Sequence, residues 1–154
     1  TLRRSSAASD VYKRQYDIDE YVVDIAKKEG LTPGLKPLDG NVALHQACHS
    51  RAQNFGQKSA EMLNFIPDLS LNVIERCSGH GGSWGMMKDN FKTAIKVGKP
   101  AARQALKANP KYVVSGCPLA GEHILQGIDF LGNSDKRPKS ANHPIEILAK
   151  AYDL

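Results

Sequence analysis

Three cysteines, Cys48, Cys77 and Cys117, stand far apart in a chain of 154 residues. An odd number of thiols, with no apolar export segment in the polar residues 1–15, argues against a disulfide framework. Buried structural thiols, a catalytic thiol or metal ligands are left. Each cysteine directly follows a short apolar run, at 42–47, 69–76 and 112–116, and each precedes a turn or helix start. Three unrelated core thiols have no reason to repeat that placement. Thiolates are stabilised by positive charge or by a metal, and helix N-termini supply partial positive charge.

The segment Cys77-Ser78-Gly79-His80-Gly81-Gly82 adds flexible backbone beside one of these thiols. Gly79, Gly81 and Gly82 let N–H groups turn toward an anionic centre. Donors of that kind tune a thiolate-ligated cluster. A plain tight turn between strand and helix is the alternative. A phosphate loop is weaker, since neither a Gly-Lys-Ser/Thr ending nor a full G-x-G-x-x-G is present. Among the histidines, His80, three residues after Cys77, is the candidate fourth ligand. His49 adjoins Cys48 and could support a ligand from behind. His123 follows Cys117 within a helix. His45 lies in an apolar strand as a core residue, and His143 precedes Pro144 as a helix cap. A Cys48–His49 nucleophile–base pair is poorly placed, because neighbours on an extended strand point to opposite faces.

The elements that must position these residues alternate. Asp17 caps a helix to about Lys28 with Tyr21, Val22, Ile25 and Ala26 as its apolar face, and Gly30 stops it. Residues 30–40 are a loop and 42–47 a strand. Residues 50–66 show helical spacing through Ala52, Phe55, Met62, Leu63 and Ile66 before Pro67. Residues 69–75 are a strand and 78–85 a glycine-rich turn. Residues 84–108 are a long helix, with 98–100 as the place for a break. Residues 112–115 are a strand, 119–130 a helix, and 132–142 a polar loop. A last helix starts at Pro144 and runs to Tyr152. The expected fold class is α/β, a small parallel sheet flanked by helices on both faces. In such sheets all strand C-terminal ends share one edge, where ligands bind.

Composition sets the outer bounds. Hydrophobic residues at 41% and charged residues at 24% are ordinary for a globular domain. No apolar run approaches the roughly 20 residues of a spanning helix. Of the formal charge of +5, residues 1–15 supply +3. They lack apolar periodicity and read as a disordered, non-native read-through, leaving 16–154 as one cysteine-rich domain. The remaining basic residues read as scattered singly among acids, and aromatics are 6%, so nucleic acid is not an expected partner.

The series LHQACHSRAQNFGQK, IERCSGHGGSWGMMK, YVVSGCPLAGEHILQGI and HPIEILAKAY resembles the second cysteine-rich (CCG) domain of heterodisulfide-reductase-related iron–sulfur proteins. Within that family it is most similar to the iron–sulfur C subunits of anaerobic glycerol-3-phosphate dehydrogenases. The resemblance covers about residues 38–153, and it implies that the chain is a fragment of a larger protein. It also implies an iron–sulfur cluster and electron transfer from a flavin dehydrogenase subunit toward quinone, through a membrane-associated electron acceptor. The implied location is the cytoplasm, at the periphery of the cell membrane's inner face. Carried over residue by residue, the implied ligands are Cys48, Cys77 and Cys117.

Two positions depart from the family pattern. Ser78 stands where the fullest motif has a second consecutive cysteine, and Ala120 ends Cys117-Pro118-Leu119-Ala120 where the motif has another. Three outcomes follow: a smaller cluster, a cluster completed by His80, or a cluster-free scaffold or docking domain of the same complex.

Overall fold

The computed structural model describes residues 16–52 and 57–154. The reading of residues 1–15 as disordered, and the place of Phe55 in a helical pattern, lie outside those residues.

Asp17 caps α1 (Ile18–Lys28), its Oδ1 accepting the Asp19 N–H at 3.0 Å. Of the expected apolar face, Val22 packs against the core but Tyr21 is exposed, and the buried residues of α1 are Asp19 and Val23. Ser59 explains the rotation: its hydroxyl donates to Asp19 Oδ2 at 2.5 Å, turning that face toward the neighbouring helix. Next come β1 (Asn41–His45), α2 (Cys48–Ala52), α3 (Lys58–Leu63) and β2 (Leu71–Ile74). A short 3-10 turn (Trp84–Met86) leads into α4 (Lys88–Lys107). Then follow β3 (Pro110–Ser115), α5 (Pro118–Phe130), a second 3-10 turn (Ser134–Lys136) and α6 (Pro144–Ala151).

The fold is α/β, as expected. Its three strands are all parallel, in the order β2-β1-β3. The C-terminal ends are level: His45 pairs with Ile74 on one side and Ser115 on the other. A single bridge, Val114 to Asn142, lays the segment before α6 alongside β3.

Alternation along the strands feeds two cores. Val42, Leu44 and Val114 pack with Val23, Met62, Leu63, Ile147 and Leu148 from α1, α3 and α6. Ala43, Ile74 and Val113 pack on the opposite face with Ala101, Ala102, Ala105, Ile124, Leu125 and Ile128 from α4 and α5. Burying a side chain such as Leu44 contributes about 1.5–3 kcal/mol.

The break expected at 98–100 does not occur. The helix α4 continues through Pro100. A proline there removes one backbone hydrogen bond, at about 3 kcal/mol. Ala94, Ile95, Gly98, Ala101, Ala102 and Ala105 are buried on either side of it, and that packing offsets the loss.

Candidate functional site

The level strand ends bring the three cysteines to one edge of the sheet. Cys48 opens α2 just beyond β1, Cys77 lies in the loop beyond β2, and Cys117 is the residue before α5. Cys48 and Cys77 are exposed and Cys117 is half-buried.

The loop after β2 is built by close backbone approach. Gly79 has φ +87°, and a Cβ on it would stand 2.2 Å from the carbonyl oxygen of Ala94 in α4. A Cβ on Gly98 would stand 2.1 Å from the Ser78 carbonyl oxygen, and one on Gly85 would stand 2.5 Å from the His80 carbonyl oxygen. Loop and helix therefore touch backbone to backbone, which only glycine permits. The sequence reading gave Gly85 to a turn and Gly98 to a helix break, and missed their role in close packing. Their signal was faint: two glycines in helical surroundings, where a packing reason is needed to offset their cost.

This docking sets up a polar chain. The Gly79 N–H donates to Cys77 Sγ at 3.3 Å. Ser78 is buried, and its Oγ lies 2.8 Å from His80 Nδ1. The other ring nitrogen, Nε2, lies 3.8 Å from Cys117 Sγ. His80 thus joins two of the three thiol-bearing segments. Burial, with a smaller contribution from the charge of His123, holds its pKa below the ordinary value. A neutral imidazole is the form that can ligate a metal. Gly81 and Gly82 also have positive φ but are exposed, and a Cβ on either meets no atom closer than 3.6 Å.

Behind this chain, His45 is the satisfied core residue that was expected. Its Nδ1 lies 3.2 Å from Ser115 Oγ and its Nε2 3.0 Å from the Arg76 carbonyl oxygen. Burial pushes its pKa down to about 4. The Ser115 hydroxyl also accepts the Cys117 N–H at 3.2 Å, so one side chain fixes both the strand end and the start of the thiol turn. Sequence reasoning passed over Ser115, and it read Ser78 only as a missing thiol, not as the partner of His80. His143 caps α6, with its Nδ1 accepting the Ile145 N–H at 3.3 Å. His123 is buried against the Phe91 ring, and its Nε2 has no partner among the described residues.

The arrangement is uneven. No hydrogen bond joins Cys48 to Cys77, Cys117 or His80 among the described residues, and His49 beside it is exposed. No group of three or more His, Cys, Asp and Glu side chains among those residues stands in metal-holding contact. The donor chemistry, three thiols and an imidazole with an N–H aimed at sulfur, suits a soft iron–sulfur centre.

Comparison with known proteins agrees with that chemistry. The chain is 32% identical over 124 residues to the C subunit of anaerobic glycerol-3-phosphate dehydrogenase from Escherichia coli K12, covering 80% of this chain and 29% of that protein. It is 29% identical over 150 residues to an uncharacterized iron–sulfur protein of Methanocaldococcus jannaschii, covering 95% and 30%. The D subunit of the dihydromethanophenazine:CoB–CoM heterodisulfide reductase of Methanosarcina acetivorans is 27% identical over 144 residues, covering 89% and 34%. The chain spans about a third or less of the length of these relatives. No family model matches it. No solved structure matches it significantly. Its homologues are thus the C subunit of glycerol-3-phosphate dehydrogenase, the D subunit of heterodisulfide reductase and iron–sulfur proteins, consistent with a CCG-type iron–sulfur domain related to them.

Proposed function

We propose, on the premise of that kinship, that this domain holds an iron–sulfur cluster and passes electrons within a multi-subunit oxidoreductase. The observation that carries the reading is the polar chain Ser78–His80–Cys117 beside the Gly79 N–H to Cys77 Sγ contact, on the edge where all three cysteines emerge. Cys77, Cys117 and His80 would hold the centre, with Cys48 completing the set. Gly79, Gly81 and Gly82 supply the backbone around it. When bound, such a cluster supplies one-electron transfer.

This chain's own residues do the rest. Ser78 orients the imidazole so that Nε2 faces Cys117, and burial shifts His80 toward its neutral form. The Gly79 N–H offsets negative charge on Cys77 sulfur. Buried Ser115 fixes the Cys117 backbone. In this reading the donor is a flavin dehydrogenase subunit, and the acceptor is membrane-associated and feeds quinone. No helix among the described residues is long and apolar enough to cross a membrane, and the position proposed for the domain is peripheral, on the inner face of the cell membrane.

A second reading, a cluster-free docking domain, draws on Ser78 and Ala120 standing where the family motif has thiols. One experiment separates the two. The longer parent protein, purified without oxygen, is assayed for iron, acid-labile sulfide and a paramagnetic signal on reduction. Each of Cys48→Ser, Cys77→Ser and Cys117→Ser should lower iron in this domain by about half or more, because the loss of one thiolate opens a cluster to solvent. Full electron transfer by all three variants, with no iron in the wild-type domain, would establish the docking reading instead.

A further inference from the structure

Read along the sequence, the basic residues of this domain look scattered. Folded into α4 they are not. Lys88, Lys92, Lys96, Lys99, Arg103 and Lys107 are spaced by four, four, three, four and four residues, and all are exposed. At 3.6 residues per turn they fall in one sector about 100° wide and about 28 Å long. The helix carries a single acid, Asp89, and none of the six cations forms an ion pair with an acid among the described residues.

Such a stripe works against the helix that bears it. Like charges at i,i+3 and i,i+4 each destabilise a helix modestly. The stripe lies on the side of α4 turned away from the sheet and the thiol-bearing loop, along the same helix. The buried face of the same helix carries Gly98, whose backbone touches the Ser78 carbonyl, and at its start Lys88 follows the exposed Trp84, Met86 and Met87. At the other end, Arg103 and Lys107 join Arg76 in lining a cleft of about 670 Å³.

We infer that this face of α4 docks the acidic surface of a protein partner, with carboxylates spaced along it and Trp84, Met86 and Met87 as the apolar anchor. Aromatic, Met and Arg side chains are characteristic of protein interface cores, and complementary charge sets encounter rate and register. A lipid surface fits less well. A membrane-lying helix presents an apolar face along its length, whereas the apolar face of α4 is occupied by the sheet and α5, and its exposed anchor sits at one end. The inference rests on the electron-transfer reading for the partner's role, but docking itself requires no cluster.

The test uses the chain with a fluorescent 20-residue helical peptide whose glutamates repeat the spacing of the stripe, read by anisotropy at about 0.05 M salt, where screening is weak. A peptide of equal composition with its glutamates gathered at one end is the comparison. Wild type should prefer the spaced peptide. The triple variant Lys92→Glu, Lys96→Glu, Lys99→Glu should lose about tenfold or more in affinity, whereas Lys136→Glu, Lys139→Glu, Lys150→Glu should stay within about twofold. The neutral set Lys92→Gln, Lys96→Gln, Lys99→Gln, which perturbs the fold least, should fall between. Equal loss from both charge-reversal sets, or equal binding of both peptides, would overturn the inference. So would tighter stripe-dependent binding to phosphatidylcholine–phosphatidylglycerol vesicles or to a DNA duplex. Iron content of the parent protein should not change in the stripe variant. Iron without docking sinks this inference alone; docking without iron sinks the electron-transfer reading alone.

Discussion

The two sides of the thiol-bearing edge are built differently. On the α4–α5 side, Cys77 and Cys117 sit in a network in which Gly79, Gly85 and Gly98 let backbones touch and Ser78 aims His80 at sulfur. On the α2 side, Cys48 begins a five-residue helix, exposed, with exposed His49 next to it. The difference teaches that a parallel sheet delivers residues to an edge cheaply, by topology, but fixes their side chains only where a second layer of packing reaches the loops. The long helix α4 gives that second layer to one side only.

The most severe way to break this contrast is to put a methyl group between loop and helix. Gly79→Ala forces an L side chain into positive φ and drives its Cβ against the Ala94 carbonyl. It should destabilise the domain by about 3 kcal/mol, combining left-handed strain with overpacking. Gly82→Ala, in the same loop with open space at its Cβ, should cost only about 1 kcal/mol from backbone strain. Urea denaturation of the two variants measures the gap; equal losses would mean that the loop is not held by α4.

Acid should loosen the packed side next. His45 titrates near 4 in the folded state because burial disfavours its charged form, against 6.5 ordinarily. Between those values the unfolded chain binds a proton that the folded chain does not. Stability is therefore full above about pH 6.5 and falls as pH drops toward 4, by about 3 kcal/mol in all. The depressed His80 acts in the same direction. Melting temperatures followed across this window should fall steeply in wild type and less steeply in His45→Gln. Parallel slopes would remove His45 as the cause.

The mildest comparison uses the two exchangeable histidines. His80→Ala strips buried Ser78 of its partner and should cost about 1–2 kcal/mol. His49→Ala touches an exposed side chain and should stay within about 0.5 kcal/mol. A reversed order in denaturation midpoints would show that the α2 side is the more tightly built.

Much of this architecture was legible in the chain itself. Local signals are strong where one residue acts on its own backbone. Asp17 and His143 cap helices, Pro144 starts one, and each short apolar run became a strand within one or two residues of its expected bounds. Period-two and period-3.6 patterns gave the α/β class, and the strand-end position of each cysteine placed all three on one edge. Contacts between distant segments left no such trace. The burial of Asp19 rather than Tyr21 depends on Ser59, forty residues away. The unbroken run of α4 through Pro100 depends on an alanine face meeting the sheet and α5. The link from His80 to Cys117, and the lack of one to Cys48 among the described residues, depend on which loops α4 reaches. The sequence by itself determined which residues arrive at the edge, because periodicity and capping act within a few residues. Only the tertiary structure decided which of them touch, because that choice is made by close packing between segments that the chain order keeps apart.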